Sequence, residues 1–176
     1  MELTTSEDIH VVCLFENLED AEKFDKMVTS RRFLIDNRPE IFGNQLILDE
    51  NDEIIGNEEH LLINATDISI DEAYSLVQNY NGVCYPAHID KKANGLISVL
   101  GSIPPDSEFL YYELHSADNI PEFSERYGIS KERFIVSSDA HYLTDMRDKE
   151  FYFELEDEPY SSAKVRSELF RRLRGK

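Results

Sequence analysis

Asp139 and His141 stand two positions apart in Ser137-Ser138-Asp139-Ala140-His141, directly behind the apolar run Phe134-Ile135-Val136. That run reads as a short buried strand emptying into a loop. Strand side chains alternate, so Asp139 and His141 leave on one face and Ala140 on the other. A carboxylate beside an imidazole at the carboxyl end of a buried strand suits a metal-ligand pair or an acid–base pair. The same five residues also suit a surface turn, with the Asp as a cap and the His in solvent.

His88 holds a comparable position. Val83-Cys84-Tyr85-Pro86-Ala87-His88-Ile89-Asp90 begins as a strand, and Pro86 falls where that strand leaves its ladder. His115 also ends a strand pattern, but with only Glu113 and Ser116 beside it the residue reads as structural. His60 lies in a polar patch and reads as solvated. His10 sits at the start of its strand behind Glu7 and Asp8, where a lone His is ordinarily structural.

The elements that must position these residues alternate in type. Ile9 to Phe15 is a strand-length apolar run. Asn17 then caps a helix with Leu18, Ala21, Phe24, Met27 and Val28 at helical spacing. Residues 45–56 read as a β-hairpin excursion. Ser69 and Glu72 form a capping box for a helix through Ala73, Leu76, Val77 and Tyr80. Phe109–Leu114 is a strand, and Asn119–Tyr127 is a helix stopped by Gly128. Phe151–Leu155 is a last strand, before a closing helix capped by Ser161 or Ser162 that turns Val165, Leu169, Phe170 and Leu173 inward. Strands alternating with helices predict an α/β fold with mainly parallel pairing, and in such folds chemistry gathers at the carboxyl ends of strands.

Charge narrows the classes of partner. The 18 Lys and Arg face 36 Asp and Glu, a formal net charge of −18 over 176 residues. That field excludes a basic nucleic-acid groove and opposes anionic membranes, and a phosphorylated substrate would need local cations. No apolar stretch approaches the ~20 residues of a membrane span, and Met1 is not followed by a signal peptide. Cys13 and Cys84 lie inside apolar runs and read as buried thiols, which fits a reducing cytoplasm. The length fits a single domain over residues 1–176.

Three motifs in order carry a family resemblance: Glu2-Leu3-Thr4-Thr5 with Asp8-Ile9-His10-Val11, then Tyr85-Pro86-Ala87-His88-Ile89-Asp90, then Ser138-Asp139-Ala140-His141. Together they resemble the PHP family, the polymerase and histidinol phosphatase superfamily of metal-dependent phosphoesterases. The resemblance spans essentially the whole chain and implies a distorted (β/α)7 barrel with metal ions at the carboxyl ends of its strands. It implies that Glu2 is a bridging carboxylate sharing one ion with His10 and His88, that Asp139 serves a second ion, and that His141 serves a third. Lys91 falls where many relatives carry an Arg beside the bound phosphate. Imidazole and carboxylate ligands without thiolates suit Zn²⁺, Mn²⁺ or Fe²⁺, and no Ser or Cys nucleophile is then required.

The family's N-terminal His-x-His motif and the Thr-Asp-His segment that follows have no counterpart here. The expected architecture is therefore α/β, an incomplete distorted (β/α)7 barrel lacking its N-terminal βα units. His88, Asp139 and His141 should gather at one rim, and copies should self-associate through the open side. Two functions are expected. One is hydrolysis of small phosphorylated metabolites or nucleotides, impaired in this chain. The other is a non-catalytic remnant serving as a metal-binding or association module. With only Glu2, His10 and His88 as a whole ligand set, the expectation is one weakly held ion and negligible phosphatase activity.

Overall fold

The first two strands, β1 (Glu2–Thr4) and β2 (His10–Leu14), are joined by only five residues. Buried Thr5 closes that loop: its N–H donates to the Ile9 carbonyl (2.9 Å) and its hydroxyl accepts the Ile9 N–H (3.2 Å). A parallel crossover needs about a dozen residues or more. So short a loop forces antiparallel pairing, with Glu2 opposite Val12 and Thr4 opposite His10. In this computed structural model, which describes residues 1–149 and 151–176, the expectation of mainly parallel pairing is thus corrected at the first connection.

Helix α1 (Leu18–Ser30) follows, with the Asn17 side chain accepting the Asp20 N–H at 2.9 Å and Phe24 and Val28 buried. After a short helix α2 (Pro39–Phe42), β3 (Leu46–Leu48) and β4 (Ile54–Asn57) pair as the hairpin excursion read from the sequence. Ser69 accepts the Glu72 N–H and opens α3 (Ile70–Asn79). Strand β5 (Val83–Pro86) then pairs antiparallel with β2, completing a sheet of order β1-β2-β5. Beyond α4 (Leu96–Leu100), β6 (Tyr112–Leu114) and β7 (Phe134–Val136) pair in parallel across the crossover helix α5 (Ile120–Tyr127), which ends at Gly128 in the left-handed conformation. Helix α6 (Ser162–Leu173) closes the chain with Phe170 and Leu173 buried.

Each face of the first sheet has its own core. Leu3, Val11, Cys13 and Cys84 face the larger one, which includes Phe24, Ile68, Val77, Leu96, Leu114 and Phe134. Val83 and Tyr85 face a smaller one with Ile135, Phe170 and Leu173. The two thiols are free and buried opposite each other across β2 and β5, and burial pushes the Cys13 thiol up to about 12.

The molecule is mixed α/β, and among the described residues its strands fall into three separate sheets with no closed barrel. The strand expected over Phe151–Leu155 does not form. Phe151 and Phe153 instead pack edge to face, 5.1 Å between ring centroids, against the smaller core. Apolar alternation looks the same in an extended segment lying on a core as in a strand; what this one lacks is a ladder partner. Among the described residues no helix is long and apolar enough to cross a membrane.

Candidate metal centre

Antiparallel pairing of β2 with β5 brings the beginning of one strand beside the end of the other. His10, the first residue of β2, therefore lies next to the segment leaving Pro86, where His88 follows. The pairing is sealed by the Ala87 N–H donating to the His10 carbonyl at 2.9 Å. Glu2 lies on the same sheet face as His10, because Glu2, Thr4, His10 and Val12 share one parity of the ladder and Leu3 and Val11 the other.

The three side chains converge on one point. Glu2 Oε1 lies 3.2 Å from His10 Nδ1 and 3.5 Å from His88 Nε2, and the two nitrogens are 3.3 Å apart. With both imidazoles neutral and these two nitrogens deprotonated, all three atoms can donate to an ion, and they are grouped as a metal would group them. Ligand bonds of ~2.1 Å at tetrahedral angles put donor atoms ~3.4 Å apart. The triangle matches one face of such a coordination shell, so the residues present fit a divalent ion.

His88 is held in a costly conformation. Its φ of 27° lies in a region that non-glycine residues seldom enter, a form of strain that clusters at functional sites. Its backbone N–H donates to Glu113 Oε1 at 3.3 Å, and the next N–H, of Ile89, donates to the Glu113 carbonyl at 2.8 Å. Its buried Nδ1 has no hydrogen-bond partner, so backbone contacts to Glu113 aim the ring. Glu113 is buried in β6, and burial raises its carboxyl above the ordinary range, partly offset by the Ser137 hydroxyl and the His88 N–H. Below it, Asp90 accepts the His115 and Ser116 N–H groups (2.7 and 3.2 Å) and the Asn119 amide (2.8 Å), tying the end of β6 to the loop after His88.

Asp139 enters from the end of β7, also at positive φ (48°). Its Oδ2 accepts a charged hydrogen bond from Lys91 Nζ at 2.6 Å and lies 4.0 Å from His88 Nε2, with the carboxylate only 17% exposed. His141 reaches Asp139 Oδ1 at 3.6 Å but is 76% exposed. His88, Asp139 and His141 are thus gathered on one side, with His141 at the margin. His60 and His115 stand apart from the triangle: His60 pairs with Glu58 at 3.5 Å, and His115 is held by Asp90 through its backbone.

Charge in the cluster is strongly coupled. Hydrogen bonds from His10 and then His88 hold the Glu2 carboxyl far below the usual carboxylate range, against the opposing effect of burial. For His88, burial favours the neutral ring, but Glu2, Asp139 and Glu113 together outweigh it and raise its pKa. Two imidazoles ringed by three carboxylates form a site that attracts positive charge.

Glu113 is the residue that strand-end reasoning missed. The signal available was a carboxylate in the middle of the apolar strand Tyr112-Glu113-Leu114, since carboxylates are rarely buried without a partner.

No family model matches the chain, and no curated protein matches it. Among solved structures, the lesion-specific endonuclease PfuEndoQ from Pyrococcus furiosus is similar over 80% of this chain and 30% of that one, with 15% identity and a TM-score of 0.48. The chain thus spans under a third of that protein's length. A likeness this distant decides neither family nor activity.

Proposed function

We propose that this chain is a divalent-metal-binding phosphoesterase domain of the PHP type, its β1-β2-β5 and β6-β7 sheets being arcs of an incomplete barrel. The observation that carries the reading is the Glu2–His10–His88 triangle, whose sides of 3.2, 3.3 and 3.5 Å fit three ligands of a four-coordinate ion. Zn²⁺, Mn²⁺ and Fe²⁺ all accept this donor set, and the tetrahedral spacing favours Zn²⁺. When bound, such an ion supplies Lewis acidity, drawing charge from a phosphoryl group and acidifying water.

The rest is the work of the chain's own side chains. Glu113 and Asp90 hold the loop that presents His88. Asp139, drawn in by Lys91, adds negative potential to the cation site. Lys91 is a third exposed and is the cation that would meet a substrate phosphate, exchanging its bond to Asp139 for one to a phosphoryl oxygen. His141, largely exposed beside Asp139, is free to meet the same phosphate. Small phosphorylated metabolites or nucleotides suit an open site on an acidic molecule. The two reduced thiols suit the cytoplasm.

A second reading has an observation of its own. Among the described residues only one three-donor group could hold an ion, and Asp139 is already paired with Lys91. A single ion lacks the clamp that two metals place on attacking and leaving oxygens, which favours a metal-binding association module with slow turnover. Metal analysis and bis(p-nitrophenyl) phosphate hydrolysis, on the chain and on His88→Ala, separate the readings. Turnover lost with His88→Ala supports the phosphoesterase, and an ion without turnover supports the module. No ion at micromolar metal defeats both.

A further inference from the structure

Between α1 and α3 the chain leaves the body as a two-stranded arm and returns. Residues 32–37 run antiparallel to 59–66, through bridges Arg32 to Thr66 and Asp36 to His60, and β3 pairs with β4 beyond them. Among the described residues no further strand pairs with β3 or β4, so both flanks of this hairpin are edges. Arg31, paired with Asp67 and Glu72, and Arg32, 3.7 Å from Glu58, anchor the base.

Its side chains are the reverse of what a free ribbon needs. Leu46, Ile47 and Leu48 are successive and all exposed, so both faces of β3 are apolar. Ile54, Ile55 and Ile63 are each about two-thirds exposed, while Leu61 is buried. An isolated two-stranded hairpin is marginal in water. Edge strands are ordinarily blunted by lysine, proline or cover, and the residues of β3 and β4 include neither lysine nor proline.

Charge identifies what covers it. Residues 33–63 carry eight acidic side chains and one arginine, Arg38. Asp49, Glu50, Asp52 and Glu53 crowd the tip, and Glu58 and Glu59 follow β4. A second copy would bring this field against itself, and nucleic acid and anionic membranes are repelled by it. The complement is apolar and cationic.

We propose that this arm captures an extended segment of another protein, with alternating apolar and basic side chains, by adding it as a third strand. Main-chain bonds along a free edge supply affinity, and acidic groups beside the apolar side chains select lysine and arginine. Peptide capture by the arm uses none of Glu2, His10 and His88 and needs no bound ion.

The test uses the full chain and a fluorescein-labelled (Lys-Val)4 peptide, with (Glu-Val)4 as control, read by fluorescence anisotropy. The Lys peptide is expected to bind, to weaken several-fold from low to moderate salt, and to exceed the Glu peptide at least tenfold. Glu53→Lys with Glu59→Lys, and separately Ile55→Asp, are each expected to weaken it tenfold or more while metal binding stays unchanged, which reports an intact body. Equal binding of the two peptides, no binding, or binding indifferent to both variants overturns the proposal. So does a dimer in sedimentation that Ile55→Asp dissolves, since the occupant is then a second copy.

Discussion

Replacing Lys91 by Met removes the cation nearest the donor triangle while keeping most of its apolar stem. Its ammonium lies 2.6 Å from Asp139 Oδ2, which lies 4.0 Å from His88 Nε2, placing it within about 7 Å of the triangle. A unit charge and a divalent ion at ~7 Å repel by ~1 kcal/mol in bulk water and by ~5 kcal/mol at an effective dielectric of ~20. The lysine side chain is 33% exposed, so solvent keeps the effect near the lower end, ~1–2 kcal/mol, or roughly tenfold in affinity. Lys91→Met should therefore bind Zn²⁺ or Mn²⁺ about tenfold more tightly. The metal-free protein should lose ~1–2 kcal/mol, because Asp139 is left partly buried without its cation. Competition titration against a fluorescent chelator gives the first quantity and denaturant unfolding with excess chelator the second. Lys91→Arg, which keeps the charge, should leave affinity near that of the parent. Unchanged or weaker metal binding in Lys91→Met would refute the electrostatic coupling.

Glu113→Ala should weaken metal binding by ~10–100-fold, as loss of an orienting outer-shell partner does, whereas Glu113→Gln, which keeps an acceptor for the His88 N–H, should lose less; the same titration separates them. The metal-free chain and the metal complex should respond to pH in opposite senses. The raised His88 pKa contributes stability that is complete below the unfolded value near 6.5 and is lost as pH rises through the folded value. The lowered Glu2 pKa contributes stability present above the unfolded carboxylate value and lost as pH falls through the folded one. The thermal stability of the metal-free chain should accordingly fall as pH rises above about 6.5, while metal affinity rises, because the ligand is the neutral ring. Phe24→Ala, at a fully buried position in the larger core, should cost ~3–5 kcal/mol by denaturant unfolding.

Local signals were the most legible. Asn17, Ser69 and Gly128 mark helix ends through bonds and backbone angles reaching only three or four residues, and each does so in the structure. His88 and Asp139 were legible because buried strands run out just before them, and strand ends collect chemistry. His10 was not legible from its own neighbourhood. It starts a strand, and only the antiparallel register against β5, a contact between residues more than seventy apart in sequence, brings it to the end where His88 lies. Only the family resemblance points to it in the sequence. Glu113 was hidden for the same reason, since its partner is the backbone of His88, twenty-five positions away. The mainly parallel reading failed because alternation of element types says nothing of direction, whereas the short Thr5–Ile9 loop does.

Titration with Co²⁺ tests the Glu2–His10–His88 centre itself, because its visible spectrum reports coordination number as well as binding. Bound to Glu2, His10 and His88, Co²⁺ should give intense bands of a four-coordinate ion that saturate at about one Co²⁺ per chain, are displaced by Zn²⁺, and are absent from His10→Ala and His88→Ala. Weak bands of a six-coordinate ion, or a spectrum that survives both substitutions, would show that Glu2, His10 and His88 do not form a metal centre.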